Sequence, residues 1–428
     1  MKKYFIFAAA AVVAMAACSK VEDNFDLTSP SNKISFVVAD YSQQTKAPTS
    51  LATGEDAVFS FKTTATQFPE LGTPVLFMDD ETIKAWDNNA AEVTALNVKT
   101  DTNTEGKEIY SWAPEFDYFW PKTGYINFYS YAGTKAPAVA VAASASPAQN
   151  AGAMRKVTFT YENVEIGASD NILVADAALH FNSNQDVYKK DHVTKGVPTL
   201  FRHQLAKIKF VLHLKTSQPA SNNTTWQVRT IAEETISGTA CKSYINYVNK
   251  GSLTLVNTDE LATTANKNET EQAWVANPAG TVSGWVPSEE STDIDEVVLT
   301  SNTLTIPTTK TESQETDPAI MVEERTVMPQ LTSGTKFVLY YEVKASHDDG
   351  QTWFLTEIRK VGVDATKTLE DLASTIDDWP KNTKITYNVI IDPVSEKVTF
   401  DPAVEEWASE NNGNAINIDN NGIVVPQP

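Results

Sequence analysis

Short runs of alternating apolar and polar residues dominate this 428-residue chain, and they constrain its fold more than any other feature. The runs are rich in Val, Ile, Thr, Tyr and Phe, and Gly, Pro, Asn and Asp separate them. Clear examples lie at residues 33–38, 57–61, 125–131, 156–161, 207–214, 336–343 and 385–391. A period of two buries one face of a strand and wets the other. The sequence therefore predicts an all-β protein built from antiparallel sandwiches.

Signals for helices and tight turns are few. Residues 79–86 and 366–376 are each predicted to form a short helix, and Thr368 and Asp371 make a weak capping box in the second. Residues 348–350 read Asp-Asp-Gly, and Asp-Gly tolerates the positive φ angles of a hairpin turn.

The first 17 residues have the pattern of a secretory signal peptide. A start with two lysines precedes an apolar stretch at 4–13, and small residues fill 14–17. Cys18 follows directly, and a cysteine at this place is what lipoprotein export acylates. We therefore predict that Cys18 carries the lipid anchor. The alternative is an ordinary cleaved signal peptide that happens to be followed by a cysteine.

Removal of the signal would leave 428 − 17 = 411 residues, a length that favours two domains. We expect residues 18–31 to form a lipidated polar tether. An N-terminal β-sandwich domain is predicted at 32–198 and a C-terminal one at 199–428, because Gly196 and Pro198 interrupt the pattern before a strong strand.

The charge of the chain argues against nucleic acid as a partner. The formal net charge is −21, and the signal holds two lysines and no acid, so the mature value is −21 − 2 = −23. Such a surface repels nucleic acid. If Cys18 is acylated, Cys241 is the one remaining cysteine. It then has no partner for an intrachain disulfide and is predicted to be a small buried residue.

Motifs of catalysis are absent, so the sequence does not predict an enzyme, a cofactor or a metal site. The five histidines are scattered. Residues 79–81, Asp-Asp-Glu, raise the alternative of a calcium loop, but they lack its ligand spacing and are better interpreted as solvated.

An aromatic run at residues 112–121 allows two interpretations. Exposed rings of Trp112 and Trp120 could stack on sugars, as in a lectin. In the favoured alternative, Phe119 and Trp120 pack between two sheets, because residues 125–131 continue as an ordinary strand.

Several motifs, taken in order, resemble the fimbrillin (Mfa-like) family of surface pilus subunits. They are Trp120-Pro121 followed by residues 126–131, Asp-Asn-Ile-Leu-Val-Ala at 170–175, Phe-Arg-His-Gln-Leu-Ala-Lys-Ile at 201–208, and the carboxyl-terminal pattern from 387 onward with Trp407. The resemblance implies two tandem transthyretin-like sandwiches and export as a lipoprotein that polymerises into type V pili. In stalk subunits of that family, an outer-membrane protease removes the first strand, and an extended segment of the next subunit replaces it.

In this chain the first strand corresponds to residues 33–41, with Ile34, Phe36 and Val38 on one face. A cut between Lys46 and Ala47 would release it. The best-known processing in the family follows arginine, and the first arginine here is Arg155. If only an arginine-directed protease acts, the strand stays, and the protein is an anchor, tip or accessory subunit.

The carboxyl end offers a candidate donor strand, whose apolar residues are Ile416, Ile418, Ile423, Val424 and Val425. The alternative is a terminal hairpin around Asn421-Gly422. The predicted function is a structural subunit of an outer-membrane fimbria, as stalk, anchor or tip. Its partners would be other pilus subunits, the outer membrane and a host protein or glycan. The alternative function is that of a surface glycan-binding lipoprotein.

Mass spectrometry of the protein shed from and retained on cells tests the processing. An amino terminus at Ala47 is expected if the first strand is removed for polymerisation. An intact acylated Cys18 on the assembled material would contradict that maturation.

Overall fold

The computed structural model describes most of the chain between residues 33 and 407 and two short carboxyl-terminal pairs. The described residues are 33–40, 58–69, 74–87, 89–94, 111–121, 124–142, 156–181, 196–215, 224–258, 284–290, 293–306, 316, 318–362, 368–373, 375–407, 417–418 and 424–425.

Strands make up 67% of the described residues and nearly all of their regular secondary structure, so the predicted all-β class is confirmed. The first fourteen strands are β1 (Phe36–Asp40), β2 (Ser60–Phe68), β3 (Val75–Trp86), β4 (Ser111–Pro114), β5 (Tyr125–Gly133), β6 (Ala138–Ala142), β7 (Lys156–Glu165), β8 (Ile172–Ala175), β9 (Ala178–Phe181), β10 (Val197–His203), β11 (Ala206–Leu214), β12 (Thr225–Ile231), β13 (Glu233–Ile236) and β14 (Thr239–Lys242).

The remaining strands are β15 (Tyr244–Val248), β16 (Lys250–Thr258), β17 (Trp285–Pro287), β18 (Ile294–Val298), β19 (Thr303–Ile306), β20 (Ala319–Val327), β21 (Gln330–Leu331), β22 (Lys336–Ser346), β23 (Trp353–Val361), β24 (Asp378–Trp379), β25 (Thr383–Asp392), β26 (Lys397–Glu406), β27 (Asn417–Ile418) and β28 (Val424–Val425).

Strands from the first half of the chain close into a ring, which we call the barrel. The order is β2-β3-β4-β1-β10-β8-β5, and β5 pairs back to β2 along its length. β8 pairs with the carboxyl-terminal end of β5, and β9 pairs with its amino-terminal end. Inside the ring lies one apolar core, which includes Phe36, Phe61, Phe128 and Phe201. The period-two pattern accounts for this, because alternate residues of each strand point inward.

The second half forms a two-sheet sandwich. One sheet has the order β20-β11-β25-β26, and the other has β18-β15-β22-β12-β19 with β23 paired to β22. Phe210 of β11 stacks on Phe337 of β22 with ring centroids 5.0 Å apart, and on Tyr387 of β25 at 4.8 Å. The Phe210–Phe337 pair joins the two sheets, while Tyr387 lies beside Phe210 in the same sheet.

A third sheet unites residues from the two halves. Its order is β17-β16-β7-β6, so β16 pairs with β7 across the middle of the chain. Trp285 of β17 is fully buried, and its indole N–H donates to the carbonyl oxygen of Gln204 at 2.7 Å. β10 also crosses the predicted boundary at residues 198–199. The division into two domains remains a prediction.

One of the two predicted helices is wrong. Residues 79–86 belong to β3, because Ile83 and Ala85 alternate as fully buried residues and pair with β4. The positive φ of 51° at Asp80 coincides with an irregular register against β2, which the sequence pattern did not indicate. In the second region, helix α1 (Leu369–Leu372) is the one α-helix of the described residues. No helix among them is long and apolar enough to cross a membrane.

The hairpin turn predicted at residues 348–350 is confirmed, since it joins β22 to β23. Asp349 and Gly350 take positive φ angles of 55° and 88°. Cys241 is buried, as expected.

Acid should weaken this hairpin through Asp348. The Ser346 hydroxyl and the backbone N–H of Thr352 donate to the carboxylate and lower its pKa from 3.8 to about 2. The pKa of Asp348 is lower in the folded protein than in the unfolded chain, where it is near 4, so the ionised carboxylate stabilises the fold above about pH 4. This stabilisation is lost as the pH falls through about 2. In urea unfolding between pH 7 and pH 2, Asp348→Asn should start less stable than the wild type and converge with it. Asp349→Asn keeps this interaction and serves as the control. A stability difference independent of pH would contradict the assignment.

Candidate strand-exchange site

β1 is one of the strands of the ring, with β4 on one side and β10 on the other, so it is not an edge strand. It pairs in parallel with β10 from Phe36–Val197 to Asp40–Phe201, and with β4 through the pair Phe36–Trp112. The strand is therefore held by backbone contacts on both sides.

Further backbone contacts extend the docking before β1 begins. The N–H of Ile34 donates to the carbonyl of Tyr118 at 2.7 Å, and Ser35 accepts from the N–H of Val197 at 2.7 Å. Lys33 bridges to Phe119. The described part of this docked segment runs from Lys33 to Asp40, within the strand that the sequence predicted at residues 33–41.

The three side chains predicted to share a face all enter the core. Ile34, Phe36 and Val38 are 2%, 3% and 5% exposed. The ring of Phe36 meets the rings of Phe61 and Phe128 edge to face, with centroids 5.5 and 5.7 Å apart. Burial of side chains of this size stabilises by about 1.5–3 kcal/mol each. These three side chains therefore belong to the core that stabilises the barrel.

A glycine permits the close approach of β1 to β10. Gly196 has a φ of +98°, and a Cβ atom there would lie 2.9 Å from the backbone carbons of Ser35 and Phe36. Both the left-handed conformation and this contact exclude other residues without strain. Gly196, which the sequence analysis used to predict a domain boundary, therefore also contacts the backbone at the start of β1.

β1 can be excised without cutting the path of any other strand in the ring. It is the first described strand, and the chain between Asp40 and Ser60 leads to β2. A cut in that connection leaves β2 and all later strands on one continuous chain. Loss of β1 would open the ring between β4 and β10 and expose unpaired backbone, which favours pairing with another strand.

Several predicted site residues lie outside the described part of the chain. These are Cys18, Lys46, Ala47, Ile416 and Ile423. Lys46 and Ala47 fall within the connection between β1 and β2. The lipid site and the cleavage site therefore remain predictions.

The other candidate donor residues are Ile418, Val424 and Val425. They lie in β27 and β28, which pair with each other antiparallel through Asn417–Val425 and Ile418–Val424. This pairing has the geometry of the hairpin alternative. A role as donor strand in a neighbouring molecule remains a prediction.

The aromatic run does not offer the proposed sugar platform. Trp112 and Trp120 are 7% and 4% exposed and belong to the barrel core. The prediction for Phe119 is wrong, because this side chain is 52% exposed. Residue alternation explains the difference: while Trp120 points inward, its neighbour Phe119 points out.

Two carboxylates of the acidic run at residues 79–81 accept hydrogen bonds from tyrosine hydroxyls. The hydroxyl of Tyr131 donates to Asp80 at 2.8 Å, and that of Tyr118 donates to Glu81 at 3.2 Å. Burial, together with Asp80, raises the pKa of Tyr131 well above its usual value. Within the described ranges, no group of three or more His, Cys, Asp or Glu side chains could hold a metal ion.

The motif at residues 201–208 forms a joint between the barrel and the sandwich, a contact that sequence reasoning did not find. The imidazole of His203 stacks on the indole of Trp407 with centroids 3.9 Å apart, and Lys207 Nζ lies 4.7 Å from the same ring. His203 Nδ1 also hydrogen-bonds Asn171 Oδ1 at 2.9 Å. Co-occurrence of His203 and Trp407 in the resemblance was the only sequence signal for this contact.

Asp170, from the second motif, closes a turn before β8. The N–H of Gly167 and the hydroxyl of Thr134 each donate to its carboxylate at 2.7 Å, and Lys135 lies 3.1 Å away. Burial alone raises the pKa of Asp170, but these donors outweigh it and lower the pKa below its usual value. The motif residue therefore shapes the fold and is already fully engaged by its neighbours.

Comparison with known proteins finds likeness in solved structures only. No family model matches the chain, and no curated protein matches it. A fimbrial protein from Bacteroides vulgatus is 16% identical with a TM-score of 0.43, covering 88% of this chain and 100% of its own. The tip fimbrial protein from Porphyromonas gingivalis with C-terminal truncation is 8% identical with a TM-score of 0.28, covering 88% and 100%.

Truncation of Phe36 tests the energetic weight of the first strand. We expect Phe36→Ala to lower the free energy of unfolding by about 3–5 kcal/mol, because it leaves a cavity between two aromatic rings. Phe116→Ala is the control, since Phe116 is 72% exposed, and should cost about 0.5 kcal/mol or less. Equal effects of the two changes in urea unfolding would show that β1 is not integral to the core.

Proposed function

We propose that this protein is a structural subunit of a cell-surface fimbria, exported as a lipoprotein and assembled by donation of a β-strand between subunits. One observation carries the proposal: β1, the first strand among the described residues, lies between β4 and β10 and not at a sheet edge. Such a strand can be removed and replaced without disturbing the order of the rest of the chain.

The groove left by β1 would require a strand of similar character. Phe61 and Phe128 would lose their contacts with Phe36, and the facing edges of β4 and β10 would lose backbone partners. Each ladder hydrogen bond adds about 0.5–1.5 kcal/mol to the side-chain burial. An incoming segment with alternating apolar residues recovers both contributions.

The carboxyl-terminal segment has the composition and reach for this role. After Trp407, 21 residues follow, and when extended they span at most about 70 Å. Trp407 itself is fixed, since its N–H donates to the carbonyl of Asn382 at 2.8 Å and its ring stacks on His203. A fixed base and a segment of this length would allow Ile416 and Ile418 to reach a neighbouring molecule.

Processing decides which position in the fimbria the subunit takes. A cut between Lys46 and Ala47 would separate β1 and the acylated Cys18 from the body and allow polymerisation as a stalk subunit. Without that cut, β1 stays in place, and the protein serves as an anchor, tip or accessory subunit on the outer membrane.

The alternative of a glycan-binding lipoprotein loses its proposed platform, because Trp112 and Trp120 face the core. The two solved structures compared above are described as a fimbrial protein and a tip fimbrial protein. Strand donation, with pilus subunits as partners and no catalytic step, accounts for the interior first strand.

Deletion of residues 414–428 tests the donor role. If this segment completes a neighbour, the deletion abolishes SDS-resistant multimers and leaves the monomer folded, as measured by gel ladders and circular dichroism. The double change Ile416→Ser and Ile418→Ser should act in the same direction. Val404→Ser, at a side chain 46% exposed on β26, is the control and should leave the ladders intact. An unfolded deletion monomer would instead favour the closing hairpin.

A further inference from the structure

A cavity of about 450 Å³ opens at one end of the barrel, beside the start of β2 and the end of β5. Its lining comes from two groups of residues, which are 58–60 with 92–94, and 133–134 with 169 and 171. Volumes of about 300–1,000 Å³ are typical of small-molecule sites. None of these lining residues belongs to β1, β4 or β10. The cavity is therefore separate from the proposed site of strand exchange.

Backbone hydrogen bonds fix the first group. The N–H of Ala85 donates to the carbonyl of Phe59 at 3.0 Å, and the N–H of Val93 donates to the carbonyl of Ala85 at 2.8 Å. Val93 is fully buried, and Val58 and Phe59 are partly buried against the barrel core. One residue of β3 thus holds both segments, which together supply the apolar part of the lining.

Close packing fixes the second group. The N–H of Thr134 donates to the carbonyl of Asn171 at 2.7 Å, and the Thr134 hydroxyl donates to Asp170 at 2.7 Å. Gly133 has a φ of +110°, and a Cβ atom there would lie 2.1 Å from the Asn171 carbonyl oxygen. Only glycine permits this approach. The protein itself therefore holds both groups in place, as in most small-molecule sites, which are largely preformed.

Three hydroxyls of the lining are available to a ligand. Ser60, Thr94 and Ser169 are exposed, and none of their hydroxyls has a hydrogen-bond partner in the part of the chain that the structure describes. A hydroxyl both donates and accepts hydrogen bonds. The lining can therefore pair with a ligand that itself carries several hydroxyls.

The charges around the cavity disfavour an anionic ligand. Glu92 is the one charged residue of the described lining, and Lys84 Nζ lies 3.0 Å from it and 3.6 Å from Glu115. Nearby, Lys135 is paired with Asp170 at 3.1 Å. One lysine shared by two glutamates leaves a net negative charge, which repels anions. A cationic ligand would have to compete with Lys84 for Glu92, whereas an uncharged hydroxyl can donate to the second oxygen of that carboxylate.

A sugar ring combines these requirements. Its C–H groups give it an apolar face that packs against side chains such as Phe59 and Val58, and its hydroxyls can pair with those of the lining. We propose that this cavity binds an uncharged sugar residue of a glycan. The barrel would then carry an adhesive site in addition to the proposed strand exchange. The inference does not require that exchange, and it does not use the buried rings of Trp112 and Trp120.

Saturation-transfer NMR of the full-length protein tests the proposal. The protein is solubilised in a detergent without a sugar headgroup, and the probes are the methyl glycosides of neutral hexoses and N-acetylhexosamines. At least one of these glycosides should give a saturable signal, with the strongest transfer to the C–H protons of its ring. N-acetylneuraminic acid and glucosamine are the anionic and cationic comparisons, and they should give none.

Blocking variants locate the site. Thr94→Trp and Ser169→Trp, one from each group of lining residues, should each abolish the signal because the larger side chain fills the cavity. Thr303→Trp, at an exposed residue of β19, is the matched control and should bind like the wild type. Glu92→Gln should weaken binding by about tenfold, because a hydrogen bond to a charged acceptor is stronger than one to a neutral acceptor. Thermal unfolding checks that each variant is folded.

Three results would overturn the proposal. They are a lack of saturable binding by every neutral glycoside, binding of the charged sugars alone, and binding that both blocking variants leave unchanged. The outcome does not depend on strand exchange, which is measured separately on the SDS-resistant multimers.

Discussion

The parallel pairing of β1 with β10 closes the barrel, and much of the proposed biology depends on it. Five residue pairs and three buried side chains join the first described strand to one about 160 residues later in the chain. A strand at the end of the sequence is the easiest to remove, whereas one in the interior of a sheet is the most costly to leave vacant. The first strand has both properties, which are what exchange between subunits requires.

The sequence predicted local structure well where burial follows the strand period. Ile34, Phe36 and Val38 enter the core as their alternation indicated. Helix prediction at residues 79–86 failed because the acidic start of that run concealed the alternation of Ile83 and Ala85.

Contacts between distant parts of the chain could not be predicted, because the alternation of apolar and polar residues in a strand does not identify its partner strand. The sequence did not reveal that β1 runs parallel to β10, that β16 pairs with β7, or that His203 stacks on Trp407. The prediction that Phe119 is buried failed for a local reason. Phe119 lies outside the strands but forms an isolated β-bridge with Lys33, and side chains alternate along such extended backbone, so Trp120 faces the core and Phe119 faces outward.

The proposed function assigns different parts to two regions of the structure. Lys33 forms an isolated β-bridge with Phe119 and an ion pair with Asp117, and the segment that carries it leads into β1. At the joint of barrel and sandwich, Trp407 fixes the base of the carboxyl-terminal tail. Under the proposed function, a cut after β1 would remove the first of these regions and leave the second in place.

Strand replacement can be measured directly on the purified protein. Residues 42–48 are exchanged for the recognition sequence of a site-specific protease, and the released amino-terminal fragment is removed in mild urea. Labelled peptides of residues 32–41 and 414–428 are then added to cut and uncut protein. The account predicts saturable binding of both peptides to the cut protein alone, and loss of binding for a 32–41 peptide carrying Phe36→Ser. A cut protein that stays folded and binds neither peptide would contradict the exchange of β1.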